Sequence, residues 1–206
     1  MKYYKGIQKY DKPQNGGSYV TENEDAHECY NFDPVDFADG TSKCLGFVML
    51  TGGKGLDSQI KIENIVGCNA LKNEEKAEGV TVVWCAKPDK NLNIRVMGFY
   101  KNATVFRRVQ TMEFENDYIQ CYSFVADKKD CVLLPYQERC SNNQWYVPMS
   151  GKNNSTFGFG RAGIWYGGNN TDNEKEIQFV ERMIESTENY DGENWIERYG
   201  DDIYEF

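Results

Sequence analysis

Two adjacent segments with strong β-sheet character limit the folds that this chain can adopt. Residues 79–87 read GVTVVWCAK, an apolar and β-branched run typical of a strand covered on both faces. Residues 93–106 read NIRVMGFYKNATVF and follow the turn sequence PDKNLN. The sequence therefore predicts a strand at 79–86 that pairs with one at 93–106, and we expect Gly98 to bend or bulge the second strand.

Shorter segments with strand character surround this pair. They are CLGFVML (44–50), the alternating IKIENI (60–65), DYIQCYSFVA (117–126) and DCVLLP (130–135). Only the C-terminal part is strongly helical: in NEKEIQFVERMIEST, Ile177, Val180 and Ile184 recur on one helical face with charges opposite. The pattern predicts an α+β fold, a mostly antiparallel barrel-like sheet with a C-terminal amphipathic helix packed through these three residues.

The charge of the chain is concentrated near its C-terminus. The net charge is −9, and residues 171–206 contain twelve acidic and three basic residues, so residues 1–170 are neutral as a block. A neutral body can still carry local basic patches that bind nucleic acid. We expect a single domain over 1–206, with an irregular, turn-rich segment at 1–43, a β-barrel core at 44–170 and an acidic helical tail at 171–206.

The sequence shows no pattern typical of catalysis, metal binding or export. Its seven cysteines are odd in number and form no C-x-x-C pair, so reduced thiols are expected and no metal. The one histidine, His27, precedes Cys29 by two residues, which we interpret as a surface coincidence. TGGKGLDS lacks the phosphate-loop spacing, and FGFGRAG is a weak match to a dinucleotide fingerprint. No catalytic residue and no cofactor are therefore predicted.

The chain also lacks an apolar export signal and any apolar run of about 20 residues that could span a bilayer. We therefore expect a cytoplasmic protein with no membrane partner.

Aromatic residues beside amides and glycines are the remaining candidates for function. They occur at Trp84, at Phe99 and Tyr100, at Trp145 and Tyr146, and at Trp165 and Tyr166. Such residues can belong to a core, or they can stack a flat heterocycle while an amide reads its edge. The neighbouring bases Lys101, Arg107 and Arg108 either contact phosphates or form a solvated strand face.

These same segments resemble a known family. The succession IKIENI, GVTVVWCAKPDKNLNIRVMGFYKNATVFRR, YSFVADKKDCVLLPYQERC and FGFGRAGIWYG resembles an N-terminal module of bacterial proteins that often carry an HNH nuclease domain. Its central strands are similar to the PUA-like superfamily, which includes EVE, ASCH and YTH domains. The resemblance covers roughly residues 44–190, and YKNATVFR is its most specific part. FGFGRAG departs from the Gln-containing stretch of the pattern.

The resemblance implies a PUA-like pseudo-barrel that holds a flipped, modified DNA base in an aromatic pocket, in a restriction or phage-defence setting. The base-binding candidates are Trp84, Tyr100, Asn102 and Trp165, and the phosphate-binding candidates are Lys101, Arg107 and Arg108. With one histidine the sequence holds no HNH motif, so a nuclease would come from a partner or from elsewhere in a longer chain.

Two alternatives to a base reader stay open. One is a non-catalytic protein-binding adaptor, or a phage or defence factor that uses its acidic tail as a DNA mimic. The other is an enzyme whose catalytic residues the sequence does not reveal.

Overall fold

The computed structural model describes residues 27–50, 58–86, 93–141, 143–160 and 162–197. Within these ranges the strands are β1 (Pro34–Asp36), β2 (Ser42–Gly46), β3 (Lys76–Ala86), β4 (Arg95–Glu113), β5 (Ile119–Asp127) and β6 (Cys131–Leu133). The α-helices are α1 (Tyr136–Ser141) and α2 (Glu174–Glu188). Short 3-10 turns lie at His27–Tyr30, Ile62–Asn64, Lys128–Asp130, Asn143–Trp145 and Trp195–Glu197.

The strands form one curled antiparallel sheet, shaped like half of a barrel. Its order is β1-β2-β5-β4-β3, and β6 also pairs with β4. The predicted α+β class and the pairing of β3 with β4 are confirmed, for example by the partners Val82 and Tyr100 and by Trp84 and Gly98. The predicted strands within DYIQCYSFVA and DCVLLP are confirmed as β5 and β6.

Irregularities in the β3–β4 pair explain why the sheet curls. The register shifts between Ala77 and Val80, between Val80 and Val82, and between Trp84 and Cys85. Gly79 and Asn102 lie at the first two shifts with φ angles of 71° and 51°. Glycine and asparagine tolerate this left-handed conformation better than other residues. Each extra residue bends its strand and increases the local twist.

Side chains from the two faces of the sheet pack into two separate clusters. Phe99 and Tyr100 are consecutive in β4 and therefore point to opposite faces. The first core cluster contains Tyr100, Ala103, Val105 and Phe124, and the second contains Val96, Phe99, Leu134, Trp145, Val147 and Met183. Trp195 and Ile196 of the last 3-10 turn also pack in the first core cluster. The two neighbouring aromatic residues of the GFYK sequence thus serve different cores.

The C-terminal helix is confirmed, but the predicted packing face is wrong for two of its three residues. Ile177 and Ile184 are 38% and 47% exposed, whereas Glu176, Met183 and Thr187 are buried. Val180 does pack inward, against Gly167. The carboxylate of Glu176 accepts hydrogen bonds from the Gly168 N–H and the Thr171 hydroxyl, at 3.4 and 3.0 Å. Because these hydrogen bonds compensate the burial of its carboxylate, Glu176 can lie on the buried face of α2, where the apolar pattern predicts isoleucine.

Other elements also differ from their predictions. The alternating isoleucines of residues 60–65 do not form a strand; instead Ile62–Asn64 is a 3-10 turn, although Ile60 and Ile62 are buried. Strand β2 ends at Gly46, so residues 47–50 are not part of it. Strand β1 lies within the segment 1–43, which was expected to be irregular, and pairs with β2. Residues 88–92 of the turn and most of that N-terminal segment lie outside the described residues.

Gly98 is needed for space and not for a positive φ angle, because three chain segments approach each other closely at this residue. A Cβ atom there would collide with the Val132 carbonyl oxygen and would lie 2.5 Å from Cζ of Phe32. The bulge expected near Gly98 is present at Met97, which the register leaves between the pairs Trp84–Gly98 and Cys85–Val96.

We expect Gly98→Ala to destabilise the protein by about 1–3 kcal/mol, because the new methyl group overpacks a site closed by backbone. The matched control is Gly160→Ala, where a Cβ would meet nothing within 4 Å. That control should change the free energy of unfolding by no more than about 0.5 kcal/mol. Urea unfolding of both variants measures the difference, and equal stabilities would contradict the packing described here.

Candidate functional site

The indole of Trp84 is the best-placed of the predicted base-binding side chains. It is partly exposed and packs at the edge of the first core cluster. Its ring meets Tyr100 and Phe124 edge-on, at centroid distances of 5.4 and 5.1 Å and interplanar angles of 64° and 77°. Edge-to-face contacts of this kind hold an aromatic ring in a defined orientation.

The backbone of β2 forms the support beneath this indole. A Cβ atom at Gly46 would lie 2.5 Å from Cζ2 of Trp84 and 3.1 Å from Cε2 of Tyr100. The two rings therefore rest directly on a glycine, and any larger residue would displace them. Strand β2 reaches this position because it pairs with β5 through Gly46 and Phe124.

The indole N–H of Trp84 lacks a hydrogen-bond acceptor in the described part of the chain, although the atom itself is buried. A buried donor without a partner costs about 1–3 kcal/mol. Most buried polar groups in folded proteins are paired, so this donor is an exception.

Tyr100 lies beside Trp84 but not at a surface. Its side chain is 0% exposed and also meets Phe32 edge-on at 5.5 Å. Tyr100 is predicted to bind a base, but period-two alternation in β4 turns its side chain into the first core cluster. In this arrangement Tyr100 orients Trp84 and has no surface on which a base could stack.

Asn102 is exposed and adopts the left-handed φ of 51° at a bulge of β4. The conformation gives the residue a backbone role that is independent of any ligand, because few side chains other than glycine, asparagine and aspartate tolerate it. Its amide is exposed and can in addition reach a ligand. The predicted contact of Asn102 with a base edge stays a prediction.

Of the three predicted phosphate-binding residues, Arg107 is already engaged within the protein. Its Nη1 donates to Glu63 Oε2 at 2.8 Å, its Nη2 to the Leu71 carbonyl at 3.0 Å, and its Nε to the Glu74 carbonyl at 2.7 Å. The residue is 7% exposed. Arg107 therefore joins the segment 60–75 to β4, and a phosphate would have to displace these bonds. Lys101 is partly exposed and Arg108 exposed.

Trp165 is not near Trp84 and Tyr100 in the packing of the molecule. It packs against the second core cluster, where its ring lies 6.3 Å from Phe157, 6.0 Å from Phe159 and 5.8 Å from Phe179. The sequence prediction groups Trp165 with Trp84 because both are aromatic residues in segments that contain amides and glycines. The structure assigns the two tryptophans to different cores.

Phe124 is the residue that the sequence prediction missed. It contributes a closer ring contact to Trp84 than Tyr100 does. The available signal was the alternation in β5, where Phe124 shares a face with the buried Gln120 and Ala126. That pattern identifies a core residue, but it cannot show which strand lies opposite.

The cysteines and the histidine have structural surroundings. All seven thiols are free, and burial raises the pKa of Cys85 to about 12. The Nδ1 atom of His27 accepts a hydrogen bond from the Cys121 N–H at 3.3 Å, and the ring meets Phe47 edge-on. His27 is thus packed against β5, which corrects its interpretation as a surface coincidence. Among the described residues, no group of three or more His, Cys, Asp or Glu could hold a metal ion.

The comparisons with known proteins add no family assignment. No protein-family model, curated protein or solved structure matches this chain. Within the described ranges, no helix combines the length and the apolar character that a membrane span requires. The resemblance to PUA-like modules therefore stays a hypothesis based on the quoted motifs.

We expect Arg107→Ala to destabilise the protein by about 2–4 kcal/mol, since it removes a buried cation that holds one carboxylate and two carbonyls. The neighbouring change Arg108→Ala removes an exposed charge and should cost no more than about 0.5 kcal/mol. Thermal or urea unfolding distinguishes them. Similar stabilities for the two variants would show that the contacts of Arg107 are dispensable.

The ion pair of Glu63 with Arg107 predicts a specific pH dependence. The pKa of the Glu63 carboxyl group is lowered below the ordinary value of 4.5. The larger cause is a hydrogen bond from the backbone N–H of Glu63 itself, and the second is the hydrogen bond from the Arg107 guanidinium. A carboxyl group with a lowered pKa stabilises the folded state above its unfolded pKa, and this contribution disappears as the pH falls through the folded pKa. Wild type should therefore exceed Glu63→Gln in stability at pH 7, and the difference should shrink below about pH 4.5. A difference that does not vary with pH would contradict this assignment.

Proposed function

We propose that this protein is a nucleic-acid-binding module that recognises a modified, flipped base in DNA, in a cytoplasmic restriction or phage-defence setting. One structural observation carries the proposal: the indole of Trp84 is partly exposed and is held edge-on by the rings of Tyr100 and Phe124. The resemblance to PUA-like modules supplies the class of ligand.

In this proposal Trp84 stacks on the extruded base, and Tyr100 and Phe124 position the indole. Extrusion of a base costs a few kcal/mol, and stacking on one aromatic residue recovers about 1–3 kcal/mol. Asn102 is the candidate for a polar contact, since its amide is exposed two residues along β4 from Tyr100.

The remaining binding free energy must come from the DNA backbone. Lys101 and Arg108 are the candidates for phosphate contacts, because Arg107 is held by Glu63 and two carbonyls. The net charge of −9 opposes long-range attraction to DNA, so binding should depend on a few local contacts. A small number of phosphate contacts predicts a modest dependence of affinity on salt. Cleavage, if it follows, would require an effector nuclease as partner.

The decisive experiment compares the same substitution at two tryptophans. Trp84→Phe keeps an aromatic ring but removes the N–H and part of the stacking area, whereas Trp165→Phe makes the same change in the second core cluster. We expect Trp84→Phe to reduce the preference for a modified base by about tenfold, which corresponds to about 1.4 kcal/mol. Trp165→Phe should retain the wild-type preference. Fluorescence anisotropy on matched oligonucleotides with common cytosine and adenine modifications, at two salt concentrations, measures both.

The role of Asn102 can be separated from its backbone conformation. Asn102→Gly removes the amide while glycine adopts the same φ without strain, so folding should be preserved and only the recognition of the base edge should weaken. Wild-type protein that shows no preference among the modified and unmodified oligonucleotides would refute the base-reader proposal. An unchanged preference in folded Trp84→Phe would refute the assignment of the site.

A further inference from the structure

A cleft of about 530 Å³ lies where the segment 30–36 meets the ends of β4 and β5. Its lining includes three aromatic residues, two acids and a buried glutamine: Tyr30, Phe114, Tyr118, Asp33, Asp36 and Gln120. None of the candidate base-binding or phosphate-binding residues lines it. The cleft is therefore a separate feature of the molecule, with its own chemistry.

The acids of this cleft carry negative charge that the described residues do not neutralise. Neither Asp33 nor Asp36 belongs to an ion pair in the described part of the chain. Asp33 is partly buried, and this burial raises the pKa of its carboxyl group. A carboxylate that loses hydration without gaining a cation is costly in the folded protein. A positively charged ligand would offset that cost.

The aromatic side chains of the cleft suit the same kind of ligand. The Tyr118 ring lies 5.4 Å from Tyr30 at an angle of 50°, and 6.2 Å from Phe114 at an angle of 41°. Tilted rings form walls rather than a flat stack, and the face of each ring attracts a cation. The Tyr118 hydroxyl lies 3.4 Å from Nδ1 of His27, which itself accepts from the β5 backbone, so the ring is held in place.

From this combination we propose that the cleft binds an alkylammonium group, presented by a lysine or methyl-lysine side chain of a protein partner. The ammonium group pairs with Asp33, and the carbon atoms around the nitrogen contact the three rings. A DNA segment is a poor occupant because its phosphates would face two carboxylates. This proposal is independent of base recognition, since it involves none of the same side chains.

The direct test measures binding of a labelled lysine peptide to the full chain by fluorescence anisotropy. The peptide is prepared with unmodified lysine, with dimethyl-lysine and with acetyl-lysine, which is neutral and of similar length. We expect the two cationic forms to bind, and the acetylated form to bind at least about tenfold more weakly. Equal binding of all three forms, or no binding of the cationic forms at millimolar peptide, would overturn the proposal.

Two variants locate the binding site, with a matched control beside it. Asp33→Asn keeps the shape of the side chain but removes its charge, and Phe114→Leu keeps an apolar side chain but removes a ring; each should weaken binding roughly fivefold to tenfold. Asp117→Asn makes the same charge change at an exposed residue that does not line the cleft, and asparagine tolerates its φ of 61°. The control should bind like wild type. Equal weakening by Asp117→Asn would indicate a general charge effect and refute the assigned cleft.

A stability measurement guards against misfolding as the cause. Because the pKa of Asp33 is raised in the folded state, its charged form destabilises the protein at neutral pH, and this cost develops as the pH rises from the unfolded pKa to the folded pKa. Asp33→Asn should therefore unfold at the same temperature as wild type or higher at pH 7, while it binds the peptide more weakly. Lower stability together with weaker binding would assign Asp33 a structural role and overturn its role in cation binding.

Discussion

Strand β4 forms hydrogen bonds with three other strands, and the positions of both candidate binding regions depend on this pairing. One edge pairs with β3 along most of its length. The other edge pairs with β6 near Gly98–Tyr100 and with β5 beyond Thr104. A strand that serves several partners in this way must bend, and the bulges at Met97 and Asn102 provide the bend. The sheet consequently curls and encloses the first core cluster.

Small residues at two positions allow aromatic rings to approach this curled sheet. Gly98 leaves room for Phe32 against the β4 backbone, and Gly46 supports the rings of Trp84 and Tyr100. These contacts place Trp84 where it is partly exposed and at the same time restrained on its edges. In the proposed base-binding role, such a restrained aromatic surface would lose little conformational entropy on stacking.

Strand β2 connects the two regions for which we propose ligands. Gln120, which lines the acidic cleft, donates a hydrogen bond from its side-chain amide to the Leu45 carbonyl of β2 at 3.3 Å. Gly46, which follows Leu45 in β2, supports Trp84. The two regions nevertheless differ in chemistry. Trp84 contacts the neutral rings of Tyr100 and Phe124, whereas the cleft combines rings with two carboxylates. A protein that reads DNA with one surface and holds a basic partner with the other would be consistent with a reader that works together with a separate effector.

Local sequence patterns were sufficient to predict much of the secondary structure. The β-branched run at 79–86, its partner at 93–106 and the helical periodicity after Asn173 each arise from interactions between near neighbours in the chain, and each was confirmed. The alternating isoleucines of residues 60–65 misled the prediction because the same pattern also fits a buried 3-10 turn. There the Ile60 N–H donates to the Arg107 carbonyl at 2.8 Å, a partner 47 positions away along the chain.

The sequence also predicted candidate site residues, but it did not show how they group in the fold. Trp84, Tyr100, Trp165 and Arg107 could be selected as aromatic or basic residues near polar segments, yet nothing local showed that Tyr100 is fully buried or that Arg107 is held by Glu63. Those outcomes depend on which strands become neighbours and on the bulges that set the facing of each side chain. Period and propensity act over a few residues, whereas burial, ion pairing and the acidic cleft arise from segments far apart in the chain. For that reason the sequence could predict a barrel-like antiparallel sheet, but it could not predict the tertiary contacts of each side chain.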